Sequence, residues 1–178
     1  MQACIGDNDE FDKRLKKYER NISAFIKNGV NLFLSGGDGS GRTTAGCAIL
    51  KEACRQGFPG LFVSAADIGN LIIQKQRFSS NYLYEDRLRS VKVLCIDNLC
   101  ERHNAYETDI ISKIIHHRIE EKLLSILITN LSLNEFQDVF GDIVSNAIAS
   151  SSVIISLTGR NFLKQRVDAI GTFFAGLK

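Results

Sequence analysis

The chain has 178 residues, enough for one domain whose core needs neither metal nor disulfide staples. Hydrophobic residues at 44% and charged residues at 24% suit a globular protein, and one proline beside 14 glycines excludes collagenous, proline-rich and disordered chains. A net charge of +2 with a pI near 8.3 is too mild to indicate a nucleic-acid partner, which would have to be argued from local patches.

The N-terminal stretch MQACIGDNDEFDKRLKKYER is polar and lacks the apolar core of a secretory signal, and no later apolar run reaches the ~18–20 residues of a membrane span. The expected location is therefore cytoplasmic, with no membrane partner. Residues 9–28 place Leu15, Tyr18, Ile22 and Phe25 at helical spacing. We expect residues 1–29 to form an amphipathic helix and linker ahead of a core at 30–178. The apolar stripe suits packing on the chain's own core better than docking a partner.

NLFLS (31–35) predicts a strand, and 43–56 a helix stopped by Gly57 and Pro59. LFVSA (61–65) predicts a second strand, 66–78 a helix, and 79–90 a loop or short helix. VKVLCID (91–97) predicts a third strand. A helix over 106–122 turns Ile110, Ile111, Ile114 and Ile115 to the core. LLSILIT (123–129) and SVIISLT (152–158) predict strands around two short helices broken near Gly141, and the tail beyond 160 is partly helical. Strands apolar on both faces and alternating with helices imply a parallel sheet covered on both sides.

Cysteines at 4, 47, 54, 95 and 100 are odd in number and form no CxxC pair, which predicts reduced and mostly buried thiols. His116 and His117 are neighbours on one helix, so their side chains diverge by about 100° and do not suit a shared metal.

The strongest signal is Gly36-Gly37-Asp38-Gly39-Ser40-Gly41-Arg42-Thr43, followed by Thr44. It follows a strand and opens a helix, the setting of the phosphate-binding pattern G-x-x-x-x-G-K-[ST]. The glycines let backbone N–H groups turn toward phosphate oxygens, and the helix adds the positive end of its dipole. The Thr43 hydroxyl is placed to ligate Mg²⁺. Arg42 stands where the pattern has Lys; it keeps the charge but carries a wider, planar fork. A loop of this kind works with an acid at the end of an apolar strand, and Val93-Leu94-Cys95-Ile96-Asp97 supplies one. The next residue, Asn98, can orient a water but cannot take its proton at neutral pH. Asn130, after the fourth strand, falls at the carboxyl ends of the parallel strands, where ligands bind.

Taken together, NLFLSGGDGSGRTT, LFVSAADIGNLI, VKVLCIDNL, IIHHRI, LLSILITNLSLNEF and VFGDI resemble the AAA+ domain of the DnaC/DnaI helicase loaders and the related IstB transposition ATPases, over about residues 20–165. The resemblance implies an α/β P-loop fold of AAA+ type with a five-stranded parallel sheet. It implies ATP or ADP with Mg²⁺ as cofactors, single-stranded DNA contact, and a replicative helicase or another loader subunit as partner. It also implies assembly through shared sites, which leaves a homo-oligomer open. Carried over by position, Gly36 to Thr44 bind nucleotide, Thr43 and Asp97 hold the metal, and Asp97, Asn98 and Asn130 fill the catalytic positions.

Several charge-bearing positions depart from the family. Arg42 replaces Lys, and Asn98 replaces an acid. Ile143 and Ala147 stand where arginines reach a neighbour's phosphate, and Leu163 stands where a sensor arginine is found; Arg160 and Lys164 lie beside it. No Lys or Arg occurs between Lys122 and Arg160. Loss of an arginine finger alone lowers rates by about 10³–10⁵ in related enzymes. The expectation is weak or absent hydrolysis. Only residues 1–30 precede the first strand, leaving no room for the docking domain that loaders carry there. The chain is then either a fragment or a protein that works differently from a full loader.

Lys75, Arg77, Phe78, Tyr82, Tyr84, Arg87, Arg89 and Lys92 interleave cations with aromatics, a pattern that suits a single strand. Within this set Lys75, Arg77, Tyr82, Arg87 and Arg89 are the candidate DNA contacts. Three readings compete: an ATP-binding loader relative, a non-enzymatic adaptor that keeps the fold as a binding module, and an IstB-like transposition ATPase.

Overall fold

The computed structural model describes residues 9–68, 82–100 and 104–157, with Asn161, Phe162 and Val167; of residues 9–12, 82 and 83 it describes the backbone alone. Its strands are β1 (Asn31–Gly36), β2 (Gly60–Ser64), β3 (Val93–Leu99), β4 (Leu124–Thr129) and β5 (Ser152–Leu157). All pair in parallel, in the order β2-β3-β4-β1-β5. The helices are α1 (Asp9–Arg20), α2 (Ile22–Asn28), α3 (Arg42–Arg55), α4 (Tyr82–Ser90), α5 (Ala105–Glu120), α6 (Leu133–Phe140) and α7 (Asp142–Ser151). Residues 65–68 are helical directly after β2, and the rest of the helix expected over 66–78 lies outside the described residues.

Strand alternation divides the core in two. Leu32 and Leu34 of β1, Val93 and Cys95 of β3, and Ile126 and Ile128 of β4 face α1, α2 and α3. Their neighbours Phe33, Leu94, Ile96 and Leu127 face the layer that contains α5, α6 and α7. The central strands β1, β3 and β4 thus bury both faces and read as continuous apolar runs, whereas the edge strand β2 leaves Phe62 exposed.

The segment 9–28 is two helices rather than one. At Asn21 the backbone leaves the helix, and the Asn21 amide donates to the Lys17 carbonyl at 2.7 Å. The apolar phase survives the break. Leu15, Tyr18, Ile22 and Ile26 are all buried against the sheet, and the Tyr18 hydroxyl donates to the Val30 carbonyl at 2.7 Å. This stripe packs on the chain's own core. Arg14 reaches the outer strand β5, donating to the Ile154 carbonyl at 2.8 Å.

The segment 79–90, expected as loop or short helix, contains α4. The third strand runs 93–99 rather than 91–97, because the Val91 N–H closes the end of α4 by donating to the Arg87 carbonyl at 3.0 Å. Two of the thiols expected to be buried are not. Cys95 and Cys100 are buried, but Cys47 and Cys54 lie on solvent-facing positions of α3.

Sequence reasoning did not single out Arg118, which is fully buried. It continues the Ile111, Ile114, Ile115 stripe of α5 by one turn. Its guanidinium donates to the carbonyls of Leu88 and Val91, each at 2.9 Å, to that of Leu124 at 2.8 Å, and to the Ser125 hydroxyl at 3.0 Å. Burial lowers its pKa to about 10, so it stays charged at neutral pH. The charge is balanced by carbonyl dipoles, including those at the negative end of α4.

Candidate phosphate-binding site

The loop between β1 and α3 lies at the carboxyl end of the sheet, where β1 is flanked by β4 and β5 while the chain crosses toward β2. Gly36 closes β1 beside Leu157 with a φ of +151°. A Cβ there would meet the Leu157 carbonyl oxygen, so the close approach of β1 to β5 requires glycine. Gly41 sits at the N-cap of α3 with φ +90°. It offers no side chain to the helix N-terminus, and the first turn carries no acid. By contrast, α5 and α6 close their N-termini with capping boxes, Asn104 with Glu107 and Ser132 with Glu135. The first turn of α3 therefore keeps donors and positive potential that an anion can use.

Thr43 and Asp97 are 54 residues apart in sequence and meet here, the Thr43 hydroxyl donating to Asp97 Oδ2 at 3.0 Å. Asp97 Oδ1 accepts the Asn98 N–H at 2.8 Å. Asp97 and Asn98 lie where the β3–β4 register shifts between Ile96 and Leu99. Asn98 adopts φ +62°, a left-handed conformation that asparagine tolerates better than most residues. Such irregularities re-aim side chains at strand ends. On β4 the Thr129 hydroxyl donates to the Leu99 carbonyl at 2.5 Å and accepts the Leu131 N–H at 3.0 Å. These bonds tie the two strand ends together and leave Asn130 exposed next to them.

Within the loop Arg42 Nη2 lies 3.3 Å from Asp38 Oδ1. Arg42 Nη1 and the Ser40 hydroxyl oxygen are buried without a hydrogen-bond partner among the described residues. Buried donors of this kind are the exception in folded proteins, and at this loop they fit phosphate oxygens. Sequence reasoning missed the return of Phe162 to this place. Its N–H donates to the Gly39 carbonyl at 2.9 Å, and its ring lies against Gly41. Partial desolvation raises the Cys47 thiol pKa, and the nearby Asp97 carboxylate adds to the rise.

The candidate DNA residues are less gathered. Lys75, Arg77 and Phe78 fall outside the described residues, as do Arg160, Leu163 and Lys164, and of Tyr82 only the backbone is described. On α4 Arg87 is exposed, as is Lys92 just after it. Arg89 pairs with Glu85 at 3.1 Å, and Tyr84 packs against the core. Ile143, at one of the departed arginine positions, is 73% exposed.

The sheet order and the strand–loop–helix at its carboxyl edge define a P-loop protein of AAA+ type. Its solved structural neighbours agree. The DnaC helicase loader superposes with a TM-score of 0.72 at 23% identity, covering 82% of this chain and 87% of that one. DnaI gives 0.72 at 20% identity, covering 89% and 87%. The replication initiator DnaA bound to AMPPCP and single-stranded DNA gives 0.72 at 15% identity, covering 94% and 53%. The family model described as IstB-like ATP binding protein matches residues 7–153, and the chain belongs to that family. The replicative helicase loader DnaC of Escherichia coli K12 is 27% identical over 147 residues, which are 78% of this chain and 56% of that protein. This chain thus matches little more than half the length of its curated relative. Among the described residues no helix is long and apolar enough to cross a membrane.

Proposed function

We propose that the chain is a cytoplasmic, nucleotide-responsive AAA+ factor of DNA replication that acts on a replicative helicase or on another loader subunit. In this reading residues 36–44 bind ATP or ADP. Thr43 and Asp97 hold Mg²⁺, which would offset phosphate charge, and Asn130 faces the terminal phosphate. The observation that carries the reading is the meeting of Thr43 and Asp97 at 3.0 Å beside an uncapped helix N-terminus. Hydrolysis is weak or absent. Asn98 cannot serve as a base, and neither Ile143 nor Ala147 can stabilise phosphate charge on a neighbouring subunit. The exposed cations Arg87 and Lys92 support a contact with single-stranded DNA.

Equilibrium binding of a fluorescent ATP analogue, with and without Mg²⁺, tests the reading. Micromolar binding is expected, with loss of about tenfold or more in Thr43→Ala and a turnover far below that of active AAA+ ATPases. Rapid turnover abolished by Asp97→Ala would overturn the weak-hydrolysis reading and favour an IstB-like transposition ATPase. A second reading, a non-enzymatic adaptor, draws on the pairing of Arg42 with a carboxylate of its own loop. No binding at millimolar nucleotide would favour it.

A further inference from the structure

Arg42 is the only cationic side chain between Gly36 and Thr43, and a carboxylate four residues earlier already holds it. Building on the nucleotide reading above, we propose that Asp38 is a resident competitor for nucleotide phosphate, occupying the guanidinium until a polyphosphate displaces it.

The two partners are unequally placed. The Arg42 side chain is 14% exposed, whereas that of Asp38 is 90% exposed. An exposed carboxylate holding one guanidinium nitrogen at 3.3 Å is a weak, salt-screened partner. It leaves Arg42 Nη1 and the Ser40 hydroxyl oxygen buried and unpartnered among the described residues. A phosphate group brings several oxygens to the same place. It can engage both guanidinium nitrogens together with the Ser40 hydroxyl and the open N–H groups of α3. Polyphosphate therefore wins, but at reduced affinity, because it must first detach a carboxylate that stays tethered beside it. Ligands with two or three phosphates recover that loss more readily than a monophosphate does. Asp38 thereby sets both the affinity and the phosphate-number preference of the loop.

The test is equilibrium binding of a fluorescent ATP analogue with Mg²⁺ to the full chain, with thermal melting of each variant to establish folding. Asp38→Asn is expected to tighten binding by about three- to tenfold, while the exposed control Glu121→Gln leaves it within about twofold. In an Arg42→Gln background the same Asp38→Asn change is expected to shift affinity by less than about twofold, because the carboxylate acts through the guanidinium. Wild type and Asp38→Asn binding equally would overturn this inference and leave the nucleotide reading intact. An undiminished gain in the Arg42→Gln background would also overturn it, since plain charge repulsion would then suffice. If neither protein binds at millimolar nucleotide, the nucleotide reading falls and the inference falls with it. Binding by Asp38→Asn alone would support both.

Discussion

Arg118 carries a full charge into the core without a carboxylate among the partners described for it. The balance comes from the carbonyls of Leu88, Val91 and Leu124 and from Ser125. Those oxygens have no water to turn to once the guanidinium is gone, and a buried acceptor left unsatisfied costs about 1–3 kcal/mol. Arg118→Met, which keeps the volume and removes the donors, is expected to lower unfolding stability by about 2–4 kcal/mol. Urea denaturation would measure it; a change within about 0.5 kcal/mol, the range of ordinary surface substitutions, would refute the role. Only a phase signal marked this residue in the sequence, since it falls four positions after Ile114 in the apolar stripe, where a hydrophobe is expected. The pairing of Asp38 with Arg42 was no more legible, because a glycine-rich loop has no periodicity from which to read contacts. The loop residues themselves were legible, since their spacing and their place after an apolar strand carry the signal.

At the level of elements, some helix ends satisfy themselves with their own side chains, as the capping boxes of α5 and α6 do, and the N-terminus of α3 does not. Glu135 closes α6 by accepting from Ser132, which holds its carboxyl below the usual range. Near the end of α3 the side chains of Arg55 and Gln56 donate to Glu52, and these bonds bring its pKa down to about 2. A carboxylate depressed on folding contributes stability that is fully present above its unfolded pKa, near 4.5, and is lost as pH falls through about 2. Glu52→Gln is therefore expected to melt slightly below wild type at neutral pH, with the two melting temperatures converging as pH drops toward 2. A gap that persists unchanged into acid would assign the effect to packing. Strands and helices were legible here wherever a short unbroken apolar run gave way to apolar residues spaced at about 3.6. The division between α1 and α2 was not, because Leu15, Tyr18, Ile22 and Ile26 keep helical phase straight across Asn21. The exposure of Cys47 and Cys54 was hidden for a related reason: small, weakly polar residues blend into an apolar run whichever way they face.

Over the whole molecule, one sheet brings distant segments to a common edge. Gly36, Asp97 and Asn130 come from separate strands, yet each stands at or just beyond a carboxyl end. The sheet class was readable from strands apolar on both faces, and the AAA+ type from the resemblance in its motifs; the return of Phe162 to the loop was not, because it is a contact between segments remote in sequence. The proposed DNA contact also belongs to this scale, since it depends on a field summed over a surface. Arg87→Ala combined with Lys92→Ala is expected to weaken binding of a labelled single-stranded oligonucleotide by about three- to tenfold at low salt, with the difference shrinking as salt rises. Equal affinities in low salt would remove α4 from that surface. The buried guanidinium of Arg118 gives the α4 surface a mechanical character. It fastens the end of α4, the last turns of α5 and the base of β4 like a rivet through three plates. The strand it grips at Leu124 runs without a break to Thr129, so the same side chain that closes α4 also anchors the start of the strand that ends just before Asn130.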